Sequence, residues 1–365
     1  MAVAVLAFGL LRTVVDAWYA GVEASARNRL VTRNAISLVF PLPLAYGRQI
    51  AGTPGVSAVS YGNWFGGIYV DERNFFAQFA VDAPTYLAIY PEVKMSDRER
   101  EEFLRDRKGC VVGRKLAGKH GWKVGQAIHL RGTIYPGDWD FVIRGIYWGA
   151  EPSTDETVMF FHWARLDEEV KRTSPDQGGY VGYFVLRIAR PEDAGPISDI
   201  IDANFRNSMA ETRTETERAF QMGFVSMAGT IILAIKVISG VVIAIVLLVL
   251  ANTMAMAARE RMCEYAVLKT LGFRPAHLIV LIGGESLGIA AAGAVLGLAL
   301  TVPVCRAFAA FVSENLGSFF PVFALSTRTI YLSLGAALLV GLLAAVLPCA
   351  RVAGMRIVEG IRRVD

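Results

Sequence analysis

The sequence predicts an α-helical membrane protein with four transmembrane helices and a large extracytoplasmic α+β domain inserted between helices 1 and 2. Hydrophobic residues make up 54% of the 365 residues and charged residues only 19%, whereas soluble proteins usually carry about 25% charged residues. The apolar residues are concentrated in a few long runs, and the segment between the first two runs, residues 21–221, has an ordinary soluble composition. The chain is therefore too apolar for a soluble protein and too charged to lie wholly in a membrane.

The first predicted transmembrane helix covers residues 1–20. Its first half is apolar, Arg12 and Asp16 interrupt it, and Trp18 and Tyr19 are typical of the membrane interface. A cleaved signal peptide is the alternative interpretation, but the segment lacks a basic n-region and an A-x-A cleavage site. We therefore predict an uncleaved transmembrane helix.

The predicted extracytoplasmic domain has local signals for both strands and helices. Four runs are β-rich: 56–70, 127–134, 141–148 and 180–188. The Tyr135–Asp138 segment, with Pro and Gly between two of these runs, predicts a hairpin turn. Ser96 with Glu99, and Thr214 with Glu217, have the spacing of capping boxes that open helices.

Three further transmembrane helices are predicted at about 230–258, 277–305 and 329–350, within a carboxyl-terminal domain over residues 222–365. Their central runs contain no charged residue. Each run has the roughly 20 residues that a helix needs to cross the hydrocarbon of a bilayer.

Basic residues beside these helices set the predicted orientation, because Lys and Arg collect at the cytoplasmic ends. The connection between the third and fourth helices has only Arg306 and Arg328. The loop after the second helix has Arg259, Arg261, Lys269 and Arg274, and the tail has Arg351, Arg356, Arg362 and Arg363. We expect the 259–277 loop and the carboxyl terminus in the cytoplasm and the domain at 21–221 outside. Because membrane proteins gather Lys and Arg at these ends, the net charge of +4 does not by itself indicate a nucleic-acid partner.

Two catalytic motifs occur without their structural context. Residues 113–119 fit G-x-x-x-x-G-K, but His120 replaces the Ser or Thr that binds magnesium. Residues 284–288 fit G-x-S-x-G, but they open a predicted transmembrane helix and not a strand-to-helix turn. The four histidines are scattered, and the four cysteines have no CxxC spacing. The sequence predicts no catalytic residue, no metal site and no cofactor.

Small and polar residues in the third predicted transmembrane helix indicate close packing. Gly284, Gly288, Gly293 and Gly297 recur at a spacing that lets neighbouring helices approach. Glu285 would cost a few kcal/mol if it were unpaired in the membrane. We expect it to face other helices and a cationic partner, for which the cytoplasmic loop is the candidate source. A proton relay is the alternative, which a lone carboxylate supports less well.

The cytoplasmic loop predicts a short helix over 259–272 that ends at Gly272. On this helix Arg261, Glu264, Leu268 and Leu271 share one face, and Met262, Tyr265 and Ala266 share the other. The mixed charged and apolar face is suited to docking into a groove of a soluble partner. An interfacial helix that binds no partner is equally compatible with the pattern.

This loop and the helix after it resemble the signature of the MacB/FtsX-like ABC transporter permease family. The shared features are a Glu-Arg pair, a Glu three residues after the Arg, a Leu-Gly turn and a Glu that enters a Gly-rich helix. They are here Glu260, Arg261, Glu264, Leu271, Gly272, Glu285, Gly293 and Gly297. The tail is similar to the family's ending at Pro348, Ala350 and residues 359–362, and residues 110–130 resemble a segment of MacB-type periplasmic domains.

The resemblance implies a permease subunit and not an enzyme, with ATP bound by a separate cytoplasmic ABC ATPase. The residues implied to contact that ATPase are Arg261, Glu264, Leu268, Leu271 and Gly272. The second helix, continuous with a helix that begins near Glu215, would carry movement to the outer domain for efflux. The implied cargo is a lipoprotein, a peptide, a lipid or an amphiphilic drug.

The resemblance also implies a location and further partners. It predicts a multi-pass protein of the bacterial cytoplasmic (inner) membrane, in contact with membrane lipids. The predicted partners are a second permease copy or a paralogue, and a periplasmic membrane-fusion protein. The family usually begins with a basic amphipathic helix, so we expect either an upstream start or a lost ATPase contact at that end.

A second function is implied by the same family. It is an FtsX-like signalling subunit that regulates an extracytoplasmic partner, such as a cell-wall hydrolase, without transport. The outer domain of about 200 residues favours transport.

Overall fold

The computed structural model describes residues 1–151, 154–315, 323 and 325–355. The chain forms two compact units. The helical unit contains residues 1–17, 228–310 and the described residues from 323 onwards, and the sheet unit contains the described residues of 18–227 and of 311–322. The tail motif at 359–362 lies outside the described residues, as do Arg356 and Arg363.

The sheet unit alternates strands with short helices after α1 (Ala2–Ala24). Its strands are β1 (Arg29–Asn34), β2 (Leu42–Pro43), β3 (Val56–Trp64), β4 (Gly67–Ile68), β5 (Gln78–Val81), β6 (Val93–Lys94), β7 (Gly109–Gly113), β8 (Ala127–Gly132), β9 (Gly137–Gly149), β10 (Met159–His162), β11 (Tyr180–Val181), β12 (Tyr183–Ile188) and β13 (Thr212–Thr216). Its other helices are α2 (Tyr46–Ala51), α3 (Ala83–Ile89), α4 (Asp97–Arg105), α5 (Arg114–His120), α6 (Trp163–Thr173), α7 (Ala194–Asn204) and α8 (Glu217–Met227). The helical unit continues with α9 (Gly229–Glu260), α10 (Met262–Thr270), α11 (Pro275–Asn315) and α12 (Thr327–Gly354).

Four of these helices, α1, α9, α11 and α12, are long and apolar enough to cross a membrane. The apolar part of α1 covers residues 2–19. The other three candidate spans are Gly229–Glu260, Pro275–Ala309 and Thr327–Gly354, and each extends beyond the segment predicted for it. In the chain, α1 precedes the strands of the sheet unit and α9 follows them.

One sheet runs through the whole sheet unit. Its strand order is β13-β1-β12-β3-β5-β10-β7-β9-β8-β4, with β6 paired to β9 outside this path. The β5–β10 and β7–β9 pairs are parallel, and the other pairs in the path are antiparallel. A second, two-stranded sheet joins β2 and β11.

Phe65 lies at the centre of the core that this sheet encloses. It is completely buried, and its ring lies 5.1, 6.2 and 5.2 Å from the rings of Trp139, Phe141 and Phe161. Burying one such side chain contributes about 1.5–3 kcal/mol. The side-chain amide of Gln78, on β5, bonds the backbone of Gly67 at 2.7 and 3.0 Å. Because this bond ties the last strand of the order back to β5, the sheet curls around its aromatic core.

Two local predictions for the sheet unit are confirmed. Strands β8 and β9 form the antiparallel hairpin, with Gly132 opposite Gly137, so the connection covers residues 133–136 and overlaps the first half of the predicted turn. The capping box opens α4: the Ser96 hydroxyl accepts from the amide of Glu99 at 3.3 Å, and the Glu99 carboxylate accepts from the amide of Ser96 at 3.1 Å. Both features depend on residues within a few positions of each other, which is why the pattern alone predicts them.

The second predicted capping box is wrong. Thr214 lies in β13, where its hydroxyl donates to Asp202 at 2.8 Å, because pairing with β1 extends the strand to Thr216. The α8 helix begins one residue later, and the Thr216 hydroxyl accepts from the amide of Ala219 at 3.1 Å.

The prediction of one continuous helix from near Glu215 into the second span is also wrong, because the structure has two helices there. Glu215 is a strand residue, and Ala228 separates α8 from α9. Gly229, a poor helix former, follows directly.

Candidate functional site

The loop with the family-like signature folds into the short helix α10. This helix follows α9 after one residue, Arg261. At its end, the amide of Phe273 donates to the carbonyl of Leu268 at 3.1 Å, and Gly272 has a φ of +93°. These features form a Schellman-type end, which glycine adopts without a Cβ penalty. The helix predicted over 259–272 thus covers 262–270, and Gly272 forms the turn that ends it.

One face of α10 exposes apolar side chains beside an acidic group. Val267, Leu271 and Phe273 are 48%, 71% and 46% exposed, and Glu264 is exposed next to them along the helix. Residues 264, 267 and 271 lie on one face because they are separated by three and four positions. We call Glu264, Val267, Leu271 and Phe273 the docking face.

The opposite face of α10 packs into the core of the helical unit. Tyr265 and Ala266 are 3% and 0% exposed. Burial raises the pKa of Tyr265, and nearby Glu285 raises it further, so the ring stays uncharged. Leu268 is partly buried against the core that contains Tyr265. The structure thus turns Leu268 partly toward the core, because it follows Tyr265 by three positions, and its contact with an ATPase stays a prediction.

Arg261 is paired within the chain. Its Nη1 lies 3.3 Å from each carboxylate oxygen of Glu285 on α11, and both side chains are partly exposed. The cationic partner that was expected for Glu285 in the loop is thus Arg261. The guanidinium holds the start of α10 to α11, although the sequence grouped Arg261 with the docking face.

Lys269 holds the other end of α10 to α12. Its Nζ donates to the carbonyl oxygens of Val352, Ala353 and Met355 at 2.9, 3.2 and 2.8 Å. These carbonyls lie where α12 ends, and a cation there is favoured by the helix dipole. The Val352 carbonyl also accepts from the amide of Met355 at 3.4 Å. In the sequence, Lys269 serves only as a marker of orientation. No local signal indicates that its partners lie more than 80 positions away.

Substituting Lys269 tests this link. We expect Lys269→Met to lower the unfolding free energy of the full chain by about 1–3 kcal/mol, because three carbonyls lose a charged donor. Thermal unfolding in detergent measures the change. Arg274→Met, an exposed cation of the same loop, is the control and should leave the midpoint unchanged. Equal shifts for the two variants would contradict a specific role of Lys269.

Two of the four predicted packing glycines allow a close helix approach. A Cβ on Gly293 would lie 2.5 Å from Cβ of Met1, and one on Gly297 would lie 2.6 Å from Cβ of Val5, so α1 packs directly on α11. For Gly284 and Gly288 the described residues show no such contact, and their packing role stays a prediction. A Cβ there would meet nothing within 4 Å, because both glycines lie on the exposed side of α11.

A close contact between α11 and α12 was not predicted. A Cβ on Gly341 would lie 2.6 Å from Cβ of Ala290, and the Ser286 hydroxyl donates to the carbonyl of Gly341 at 2.7 Å. Ser286 is completely buried within α11, so the G-x-S-x-G match lies in a helix and its serine joins two helices.

Across the part of the chain that the structure describes, no group of three or more His, Cys, Asp or Glu side chains is placed to hold a metal ion.

Comparison with known proteins identifies the helical unit. A family model described as FtsX-like permease C-terminal matches residues 236–357. Comparison with curated proteins gives no match. The extracellular domain of the ABC-type transporter YknZ from Gram-positive bacteria is 10% identical, with a TM-score of 0.36, over 52% of this chain and 100% of that chain. The periplasmic region of MacB from Actinobacillus actinomycetemcomitans is 7% identical, with a TM-score of 0.37, over 54% of this chain and 92% of that chain.

The matched segment contains α10 with the docking face, α9 from residue 236 onwards, and the whole of α11 and α12. It confirms the resemblance seen in the sequence. Residues 236–357 therefore form an FtsX-like permease C-terminal domain, of a domain family found in ABC transporter membrane subunits.

Proposed function

We propose that this chain couples ATP hydrolysis by a separate cytoplasmic ABC ATPase to movement of its sheet unit on the outer side of the membrane. The observation that carries the proposal is the docking face, which exposes three apolar side chains and a carboxylate on a helix fixed to its neighbours. Exposed apolar residues next to charge are typical of a surface that a partner covers. A groove of the ATPase that offers an apolar lining and a basic residue would fit it.

The contacts of α10 with the neighbouring helices explain how a force applied to α10 would be transmitted. Arg261 joins its start to α11, Lys269 joins its end to α12, and Tyr265 is buried in the same core. A force on α10 would therefore reach α11 and α12 together. Movement toward the sheet unit would pass through α9 and then α8. Ala228 separates these two helices, whereas the resemblance implied one continuous helix.

The proposed orientation follows the basic residues beside the spans. It places α10 and the carboxyl terminus in the cytoplasm and the sheet unit outside the bacterial inner membrane. The proposed partners are the ATPase and a second permease copy or a paralogue, with a membrane-fusion protein where the sheet unit lies in a periplasm. The proposed cargo is a lipoprotein, peptide, lipid or amphiphilic drug that is already outside.

Transport is favoured over signalling by the extent of the sheet unit. An eleven-stranded sheet with its own aromatic core offers a large surface for cargo. A subunit that only switches on a cell-wall hydrolase would need a smaller contact surface. The signalling alternative predicts a stable complex with such a hydrolase and no change in efflux when the permease is deleted.

Copurification with the ATPase encoded beside the permease tests the coupling role. We expect Glu264→Lys and Leu271→Asp each to reduce the recovered ATPase at least about 30-fold, the effect of losing an interface contact worth 2 kcal/mol or more. Both side chains are exposed, so the variants should elute like the parent in size-exclusion chromatography.

Met209→Asp is the matched control, because Met209 is fully exposed in the sheet unit. It should leave ATPase recovery unchanged. Full recovery with both docking-face variants would exclude the docking face as the ATPase contact. ATP hydrolysis by the purified permease alone would exclude a separate ATPase subunit.

A further inference from the structure

A buried ion pair lies where the chain enters and leaves the sheet unit. Arg29 is the first residue of β1, shortly after α1, and Glu217 is the first residue of α8, directly after β13. The Nε of Arg29 lies 2.8 Å from Oε2 of Glu217, and both side chains are only 6–7% exposed. Strands β1 and β13 pair side by side, which brings the two residues together.

Further hydrogen bonds surround this pair. The Arg29 guanidinium also donates to Glu92 at 2.6 Å and lies 4.2 Å from the centre of the Tyr90 ring. The hydroxyl of Tyr90 donates to Oε1 of Glu217 at 3.0 Å, and the amide of Ala26 donates to Oε2 at 3.2 Å. The carboxylate of Glu217 therefore binds the segment after α1 at two points, through Arg29 and through the Ala26 backbone.

The electrostatics keep this network charged. Burial is the largest single effect on the guanidinium of Arg29 and works against its charge, but the attractions of Glu217, Tyr90 and Glu92 together outweigh it, so the pKa of Arg29 is raised above its ordinary value. Burial, with a further contribution from Glu217, raises the pKa of Tyr90 well above its ordinary value, so its hydroxyl remains a donor. Arg29 thus stays a cation and the Tyr90 hydroxyl stays a donor at physiological pH.

Stability alone is a weak reason for such a network. Replacing a buried ion pair by apolar side chains of similar volume is often neutral or stabilising, because charges lose their hydration on burial. Hydrogen-bonded charges are directional, so such a pair specifies one geometry between the segments that carry it, in addition to the pairing of β1 with β13. In this chain those segments are the two connections of the sheet unit to the candidate spans.

We propose that Arg29 and Glu217 form a latch that makes the segment after α1 and the start of α8 move as one body. This inference rests on the proposed function, since the latch would pass movement to the sheet unit through both connections at once. Arg29 and Glu217 are positioning residues in this scheme. Glu92 and Tyr90 hold them in register.

Hydrogen exchange on the full chain in lipid nanodiscs tests the latch without ATPase. Glu217→Gln and Arg29→Met should each raise amide exchange about tenfold in both 25–34 and 217–227, because the two segments open together. Exchange in β10 should not change. Arg98→Met is the matched control, since Arg98 forms a 2.9 Å pair with Glu102 but is 88% exposed, and it should leave all three segments unchanged. A rise in only one connecting segment, a rise throughout the sheet unit, or no rise would each overturn the latch.

A double variant separates the latch from stability. Arg29→Met combined with Glu217→Met should unfold within a few degrees of the parent, since apolar replacement conserves stability. With the cognate ATPase and ATP present, the parent should change exchange in both segments, and the double variant in only one. Coordinated changes in the double variant would overturn the latch. If ATP changes exchange in neither segment of the parent, the proposed function is contradicted. The hydrogen-exchange comparison without ATPase would still show whether the latch exists.

Discussion

Gly113→Ala is expected to unfold the sheet unit. A Cβ at this position would lie 2.0 Å from the carbonyl oxygen of Glu156 and 2.2 Å from its carbonyl carbon, and both are backbone atoms that cannot rotate away. The amide of Gly113 is also held by the carbonyl of Val158 at 3.0 Å. We expect a loss of about 4 kcal/mol or more, which is a large part of the 5–15 kcal/mol that stabilises a typical domain. Tryptophan fluorescence during thermal unfolding and protease sensitivity of the sheet unit measure it.

Gly118→Ala is the matched control, because Gly118 is the second glycine of the same G-x-x-x-x-G-K match. It is exposed on α5, and a Cβ there would meet nothing within 4 Å. Alanine is the better helix former, so this variant should be neutral or more stable by up to about 1 kcal/mol. A phosphate-binding loop would need both glycines. Equal losses at the two positions, or a rise in unfolding temperature with ATP and magnesium, would contradict the interpretation that the motif has no nucleotide role.

The membrane-spanning part of the fold was predictable because its signal is local and strong. A run of about 20 residues without charge can hardly be anything but a helix in a bilayer or a buried helix. The Ser96 capping box and the β8–β9 hairpin were predictable for the same reason. In each case the residues that make the contact are neighbours in sequence.

The order of strands was not predictable. Strands β5, β7 and β10 have four or five residues each, too few for an alternating pattern to stand out. Their parallel pairings join distant segments, and no turn residue marks them. The second capping box failed because pairing with β1 outweighed a capping signal that was correct by spacing alone.

In the candidate site, the face assignment was only half correct. A helical wheel separates two faces but does not say which one is buried. The burial of Tyr265 determines which face of α10 points inward. Its large side chain packs in the core of the helical unit, and Leu268 packs against the same core. The partners of Lys269 and Gly341 are distant in sequence, so the pattern of α10 and α12 alone contains no signal for them.

Gly297→Leu is expected to separate α1 from α11. A Cβ on Gly297 would lie 2.6 Å from Cβ of Val5 and 2.7 Å from the backbone oxygen of Ala2, so the two helices must move apart to admit it. Overpacking of this kind costs typically 1–3 kcal/mol. We expect a lower unfolding temperature and loss of the fixed register of α1 on α11.

The native residue Cys305 can be used to test whether α1 keeps its register on α11. The Sγ of Cys305 on α11 lies 3.9 Å from the hydroxyl of Thr13 on α1, so Thr13→Cys should form a disulfide with Cys305 under mild oxidation. Adding Gly297→Leu should abolish this cross-link, whereas adding Gly288→Leu should preserve it, because Gly288 faces open space on the same helix. Cross-linking that survives Gly297→Leu would mean that α1 tolerates the larger side chain by bending locally. In that case the close approach would be a consequence of the packing of α1 on α11 and not its cause.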